Sequence, residues 1–189
     1  MTARWVVDVV QPERDLNVTW QPISLLFKND PDPESEWYPP SKMTHDFLRV
    51  MESVRAEGGN DAAFAFYWEA GAQIHNDGRR DDLTAAGILS AAGLDGSHAA
   101  AADDESWDAI IREKMDAGLD LVGQDVGTPI IAFPSDKGKI GIFGPVITKA
   151  PAGEEGLALW DAMVTMSTME NFWELKRTRT ESPDFGERP

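Results

Sequence analysis

The chain has 189 residues, the length of one domain or of one domain carrying a large insertion. With 42% apolar and 26% charged residues it has the composition of a globule with a real core, and its net charge of −16 excludes the dense cationic face that a polyanion needs. Cysteine is absent, so the chain has no disulfide framework, thiolate zinc site or dithiol of its own. No window reaches the roughly 18 uninterrupted apolar residues of a membrane span. No charged-then-apolar leader opens the chain, and the expected location is therefore the cytoplasm.

In chain order, Ala3 to Val10 sets Trp5, Val6, Val9 and Val10 on one helical stripe, which Pro12 is expected to close. Leu16 to Ile23 (LNVTWQPI) alternates apolar and polar residues and predicts a strand, with Pro22 putting its end at an edge or bulge. The proline-rich stretch from Asn29 to Pro40 predicts a loop. Ser41 then caps a helix to about Glu57 whose buried face holds Phe47, Leu48, Met51 and Val54. Gly58-Gly59 stops it, and Asn60 or Asp61 begins a second helix to about Asn76, so aromatic (Phe64, Phe66, Tyr67, Trp68) that it must pack on more than one side. After Asp77-Gly78, Asp81 or Asp82 starts an alanine-rich helix that ends at Gly93. A further helix from about Asp103 to Leu121 turns Trp107, Ile110, Ile111, Met115 and Leu119 inward.

The period then changes from helical to strand-like. Thr128 to Phe133 and Lys139 to Phe143 predict an antiparallel hairpin turning at Ser135-Asp136-Lys137-Gly138. Gly153-Glu154-Glu155 opens a last helix, its carboxylates placed against the positive end of the dipole. The tail after Arg179 is polar, holds two prolines and is expected to be loosely held. The order predicts an α/β fold in which an all-helical insertion splits a three-stranded core, a sheet small for the core around it.

Candidate chemistry is sparse. His45, His75 and His98 have no paired spacing and do not make a metal site. His75, at a helix C-terminus, suits capping of the last carbonyls, with pocket lining as the minor alternative. Asp81-Asp82 and Asp103-Asp104-Glu105 read as N-caps, and the basic run Lys176-Arg177-Thr178-Arg179 as a source of internal salt bridges. The serines lack nucleophile-elbow spacing, which leaves a hydrolase triad without support. Val126-Gly127-Thr128-Pro129 stands out, because a cis bond before Pro129 would turn the Thr128 N–H and C=O outward for an extended ligand.

The order of elements and the VGTP step resemble the thioredoxin fold with a helical insertion, as in DsbA-like oxidoreductases. Ser24-Leu25 through Asn29, Ile74-His75-Asn76, Val122 through Pro129, Phe143-Gly144-Pro145-Val146, Gly153-Glu154-Glu155 with Leu159-Trp160-Asp161, and Glu174 through Thr180 narrow the likeness. Together they resemble the actinobacterial mycothiol-dependent DsbA-like proteins of the nitroreductase type. The resemblance implies a thioredoxin-like core at residues 1–23 and 124–180, a helical insertion at 24–123 and a tail at 181–189. It also implies a first strand and a Cys-Pro-Trp-Cys motif, and their absence here gives the expectation that both lie upstream of Met1.

The resemblance likewise implies an activity, that of a thiol-disulfide oxidoreductase with mycothiol as co-substrate and no resident cofactor, inactive as written for want of a thiolate. The alternative is a redox-dead module that binds a thiol or peptide at the proline cleft. Gly127, Thr128 and Pro129 would hold the partner sulfur's backbone, Asn29 and His75 would supply polar lining, and Trp68 or Tyr67 aromatic walls unless they are core. Expected partners are a low-molecular-weight thiol or thiol/disulfide substrate, with neither nucleic acid nor membrane. A sheet with a missing middle strand is further expected to form a homodimer or to aggregate through its bare edges.

Overall fold

The computed structural model describes residues 1–136 and 138–189; Lys137, in the expected turn, lies outside the described residues. The fold is mixed α/β, mostly helical, with a two-stranded sheet among the described residues. The chain forms two compact units, one of residues 1–18 with 118–186 and one of residues 19–117 with 187–189.

In the first unit the opening helix runs further than the sequence suggests. An α-turn (α1, Thr2–Trp5) widens into a π-helical stretch (Val6–Val10), then tightens again into α2 (Gln11–Arg14). Pro12 therefore does not end the helix. Its missing N–H and bulky ring are accommodated because the wider π turn draws the carbonyls of the preceding turn aside. Asp15, in the left-handed conformation (φ 46°), makes the stop instead.

The predicted strand Leu16 to Ile23 does not form: these residues have no regular structure and pair with no strand. Their alternation is real, but a strand needs a ladder, and side chains serve the backbone here. The Trp20 N–H donates to Asn60 Oδ1 at 2.9 Å, and the Trp20 carbonyl accepts from Arg55 Nη2 at 2.7 Å.

The hairpin forms as expected, from β1 (Ile130–Ser135) and β2 (Gly138–Phe143), antiparallel, with Ile130 opposite Phe143 and Ser135 opposite Gly138. One face carries Ile131, Phe133 and Ile142 into a core of Trp5, Val6, Val10, Trp160 and Met163. On the other face Gly141 lies so close to Leu121 that a Cβ would sit 2.6 Å from the Leu121 Cβ. The last helix, α7 (Gly153–Ser167), starts where the sequence places it, with Glu154 and Glu155 in its first turn. It meets the opening helix through the edge-on Trp5–Trp160 pair at 5.8 Å and a bond from Trp5 Nε1 to the Gly156 carbonyl at 3.0 Å. Gly156 permits that approach, since a Cβ there would lie 2.6 Å from the Pro151 carbonyl oxygen.

The second unit is helical. Ser24 caps a short helix, α3 (Leu25–Asn29), its hydroxyl accepting from the Phe27 N–H. The long α4 (Tyr38–His75) begins at Tyr38 and not at Ser41, because Pro39 and Pro40 suit a first turn, where their preset φ helps and a missing N–H costs nothing. Gly59 breaks it as expected, with φ 72° and ψ −160°. The two arms bury Phe47, Val50, Met51 and Val54 against Phe66, Ile88 and Leu89. The aromatic arm does pack on two sides: Phe66 meets Phe47 at 6.3 Å, while Phe64 and Tyr67 stack on Trp20 at 5.2 and 5.4 Å.

The next helix, α5 (Ala85–Ala91), is capped by Thr84 and not by Asp81 or Asp82, because Asp82 is taken by Arg79. Gly93, with φ 70°, closes it. A 3-10 stretch that the sequence reading did not foresee (Gly96–Asp103) precedes the expected helix from Asp103, which begins as a second 3-10 turn (Glu105–Trp107) and continues as α6 (Asp108–Val122), with Asp104 accepting from the Ser106 N–H. The tail is held more firmly than expected. Arg188 pairs with Glu69 at 2.6 Å and Asp77 at 3.1 Å, and the Asp184 N–H donates to the Thr148 carbonyl at 2.7 Å. Lys176, Arg177 and Arg179, by contrast, are exposed and make no ion pair among the described residues, contrary to the sequence reading.

Candidate functional site

At the head of the hairpin, α6 ends on Gly123, whose positive φ (87°) turns the chain into Val126-Gly127-Thr128-Pro129. Gly127 lies against the Phe143 ring, 3.8 Å from the position a Cβ would take. The Thr128–Pro129 peptide is cis, as is Gly144–Pro145. The Pro129 carbonyl accepts from the Gly144 N–H at 2.9 Å and so extends the hairpin by one step. Thr128, exposed, has no hydrogen-bond partner among the described residues, which leaves one donor and one acceptor facing solvent. Phe143, which packs against Gly127, is 39% exposed, so apolar surface adjoins the polar backbone. Such an arrangement can take the backbone of an extended ligand while covering its apolar parts.

Asn29 and His75 lie in the helical unit, whereas Gly127, Thr128 and Pro129 lie in the other. Asn29 is the exposed last residue of α3, and His75 the exposed last residue of α4. Trp68 packs on Phe64 with ring centroids 5.0 Å apart. Tyr67 stays 39% exposed despite its stacking on Trp20.

Sequence reasoning missed a buried polar chain in the helical unit. Ser24 Oγ lies 2.9 Å from His45 Nδ1, and His45 Nε2 lies 3.1 Å from Asp108 Oδ1. Arg49 grips both oxygens of that carboxylate, Nε at 2.6 Å and Nη2 at 2.8 Å, and donates to the Ala102 carbonyl at 3.1 Å. The Phe27 ring covers the imidazole at 4.3 Å, and the Arg112 guanidinium lies 4.0 Å from the centroid of that same ring.

Burial lowers the His45 pKa below its ordinary value, outweighing the attraction of Asp108; the Arg49 guanidinium lowers that of Asp108. A neutral imidazole protonated on Nε2 satisfies every contact: it donates to Asp108 and accepts a hydrogen bond from the Ser24 hydroxyl. The constellation has the members of a hydrolytic triad, but Ser24 is 0% exposed and already accepts the Phe27 N–H. It is a structural clasp that ties α3, α4 and α6 together. Its signals in the sequence are Ser24 as a cap ahead of Leu25 and His45 with Arg49 four residues apart on one helix face, while positions 24 and 108 share no spacing with that pair.

An open cleft of about 490 Å³ in the same unit is lined by Tyr38, Met43, Phe47 and Leu83, with the Lys42–Asp46 pair at 2.7 Å among its polar groups. No helix among the described residues is long and apolar enough to cross a membrane.

A helix-flanked hairpin with an open polar step at its head, in a chain without cysteine, defines a mixed α/β protein whose own side chains supply no thiolate. Over residues 1–177 the chain matches the family described as Rv2466c-like, Mycothiol-dependent nitroreductase Rv2466c, and it belongs to that family. The family is one of thiol-linked oxidoreductases, in agreement with the resemblance read from the sequence.

Proposed function

We propose that this chain is the ligand-holding part of a thiol-disulfide oxidoreductase with a thioredoxin-like, DsbA-like core at residues 1–23 and 124–180, and that mycothiol is its thiol partner in the cytoplasm. The observation that carries this reading is the unpaired backbone of Thr128 beside Phe143, in a chain of a mycothiol-dependent family. In this reading the Thr128 N–H donates to an amide carbonyl next to the ligand's sulfur, and the Thr128 carbonyl accepts in return. Phe143 covers the ligand's apolar portion. The thiolate that attacks the disulfide sulfur, breaking one S–S bond and forming another, comes from outside these 189 residues, because no side chain here replaces it.

The absence of cysteine also favours a second reading, in which the chain binds a thiol or peptide without turnover. Calorimetry against a redox-inert S-alkyl mycothiol tests the shared part. Heat is expected from the wild type and is expected to fall in Thr128→Pro, which removes the donor; no heat at millimolar ligand overturns both readings. The mass of the protein from its native cells separates them. A mass above 20.8 kDa supports the oxidoreductase, and one equal to it supports the binding module.

A further inference from the structure

The Thr128 step has few fastenings of its own. Thr128 makes no hydrogen bond among the described residues, and what fixes its surroundings comes from the end of β2. The Gly144 N–H bonds the Pro129 carbonyl at 2.9 Å, and the Phe143 ring lies against Gly127. Beyond Phe143 the chain leaves the ladder: it turns at Gly144, where φ is 98°, and residues 144–147 have no regular structure. The residues that set the site's geometry thus stand at the last rung of a two-stranded sheet, the place where a ladder opens at least cost.

One side chain closes that end. The Thr2 hydroxyl donates to the Pro145 carbonyl at 2.7 Å, across 143 positions of sequence. That carbonyl has no other hydrogen-bond partner among the described residues. This bond and the one from Gly144 to Pro129 grip adjacent residues, so the chain from Phe143 to Pro145 is held between β1 and the opening helix. Thr2 is a firm anchor. It is 7% exposed, and its β-branched side chain has few rotamers, so the helix itself aims the hydroxyl. On the same helix face one turn further, Trp5 is fully buried, edge-on to Trp160 and bonded to the Gly156 carbonyl.

We propose that Thr2 is a positioning residue of the Thr128 site. Its hydroxyl holds Pro145, and through it Gly144 and Phe143, so that the open backbone step and its apolar neighbour are set before a ligand arrives. The inference rests on the reading that this step holds a ligand. A loose step must be ordered as the ligand binds, and that cost falls on affinity. Thr2 therefore acts through Pro145 and needs no contact with the ligand.

Calorimetry of the whole chain with a redox-inert S-alkyl mycothiol, joined to amide hydrogen exchange without ligand, tests the proposal. Thr2→Val keeps the shape and deletes the donor. It should weaken binding about fivefold, the equivalent of one net hydrogen bond. It should also speed exchange of the Gly144 amide, while the Ile131 and Ile142 amides, paired deeper in the ladder, exchange as in the wild type. Thr2→Ala, which lacks the donor without a branched side chain to place, should do the same. Thr2→Ser restores the hydroxyl and should return both readouts to within about twofold of the wild type, whereas a role in packing alone would leave it impaired by the missing methyl. Undiminished affinity in Thr2→Val, a Gly144 amide that exchanges no faster, or a serine variant as weak as the valine one overturns the inference. A wild type that gives no heat overturns the ligand reading instead, and Gly144 exchange then decides by itself whether Thr2 holds the step.

Discussion

Asp108→Asn is the sharpest test of the clasp. The carboxylate takes three donors, from Arg49 Nε at 2.6 Å, Arg49 Nη2 at 2.8 Å and His45 Nε2 at 3.1 Å. Asparagine keeps one acceptor and turns an NH₂ toward the remaining donor, so at least one charge-assisted bond becomes a donor–donor contact. Arg49 is 5% exposed and would lose its bidentate counter-charge, with Asp46 at 3.5 Å only a partial substitute. Hydrogen bonds to charged groups contribute about 1.5–3 kcal/mol each, and breaking a buried pair costs about 3–5 kcal/mol. The Asp108 side chain is 26% exposed, so water reaches one side of it and the low end applies. The expected loss is about 2–3 kcal/mol. Urea unfolding at neutral pH measures it as a lower midpoint at unchanged slope. A loss below about 0.5 kcal/mol would refute the reasoning, since it falls within the about 0.2–1 kcal/mol of an ordinary exposed ion pair.

The same geometry gives three further expected outcomes. His45 has its pKa lowered by burial from 6.5, so below about pH 6.5 the unfolded chain takes up a proton that the folded chain refuses. Stability from this group is complete above that pH and falls as pH drops toward the folded value; His45→Gln should flatten that part of a urea-midpoint profile, and an unchanged slope would contradict it. Gly156→Ala forces a Cβ to 2.6 Å from a backbone oxygen and 2.8 Å from Val9 Cγ1, at a cost of about 1–3 kcal/mol despite alanine's better helix propensity, read by thermal melting. Gly59→Ala meets no atom within 4 Å, yet its φ of 72° with ψ −160° belongs to glycine alone, so about 1–3 kcal/mol should be lost through the backbone only. A stabilised Gly59→Ala variant would show that the break between the arms of α4 can straighten.

The contrast between Gly59 and Leu16 to Ile23 shows what a single sequence carries. Gly58-Gly59 is legible because a local conformation decides it, and so are the isoleucine-rich arms of the hairpin and the acidic start of α7. The segment Leu16 to Ile23 misleads because alternation reports a half-buried extended chain, whereas a ladder depends on a neighbour that the local pattern does not describe. Asp81 and Asp82 have the chemistry of caps, but Arg79 claims Asp82, a competition between side chains that no propensity encodes. The Thr128 step is legible from its place before a strand, although its open backbone is visible only once the hairpin's phase is known. The clasp of Ser24, His45, Arg49 and Asp108 leaves only local traces, a cap and one i, i+4 pair, because its members meet only after three helices have packed.

That clasp has a practical consequence for how this protein would be sorted among enzymes. A search by geometry for serine, histidine and aspartate in hydrogen-bonded sequence would flag it as a hydrolase. Fluorophosphonate reagents need an Oγ they can reach, and the Ser24 hydroxyl is fully buried between His45 and the helix it caps. Such reagents should leave the folded chain unmarked, and labelling of proteomes by reactivity would place it correctly among the non-hydrolases.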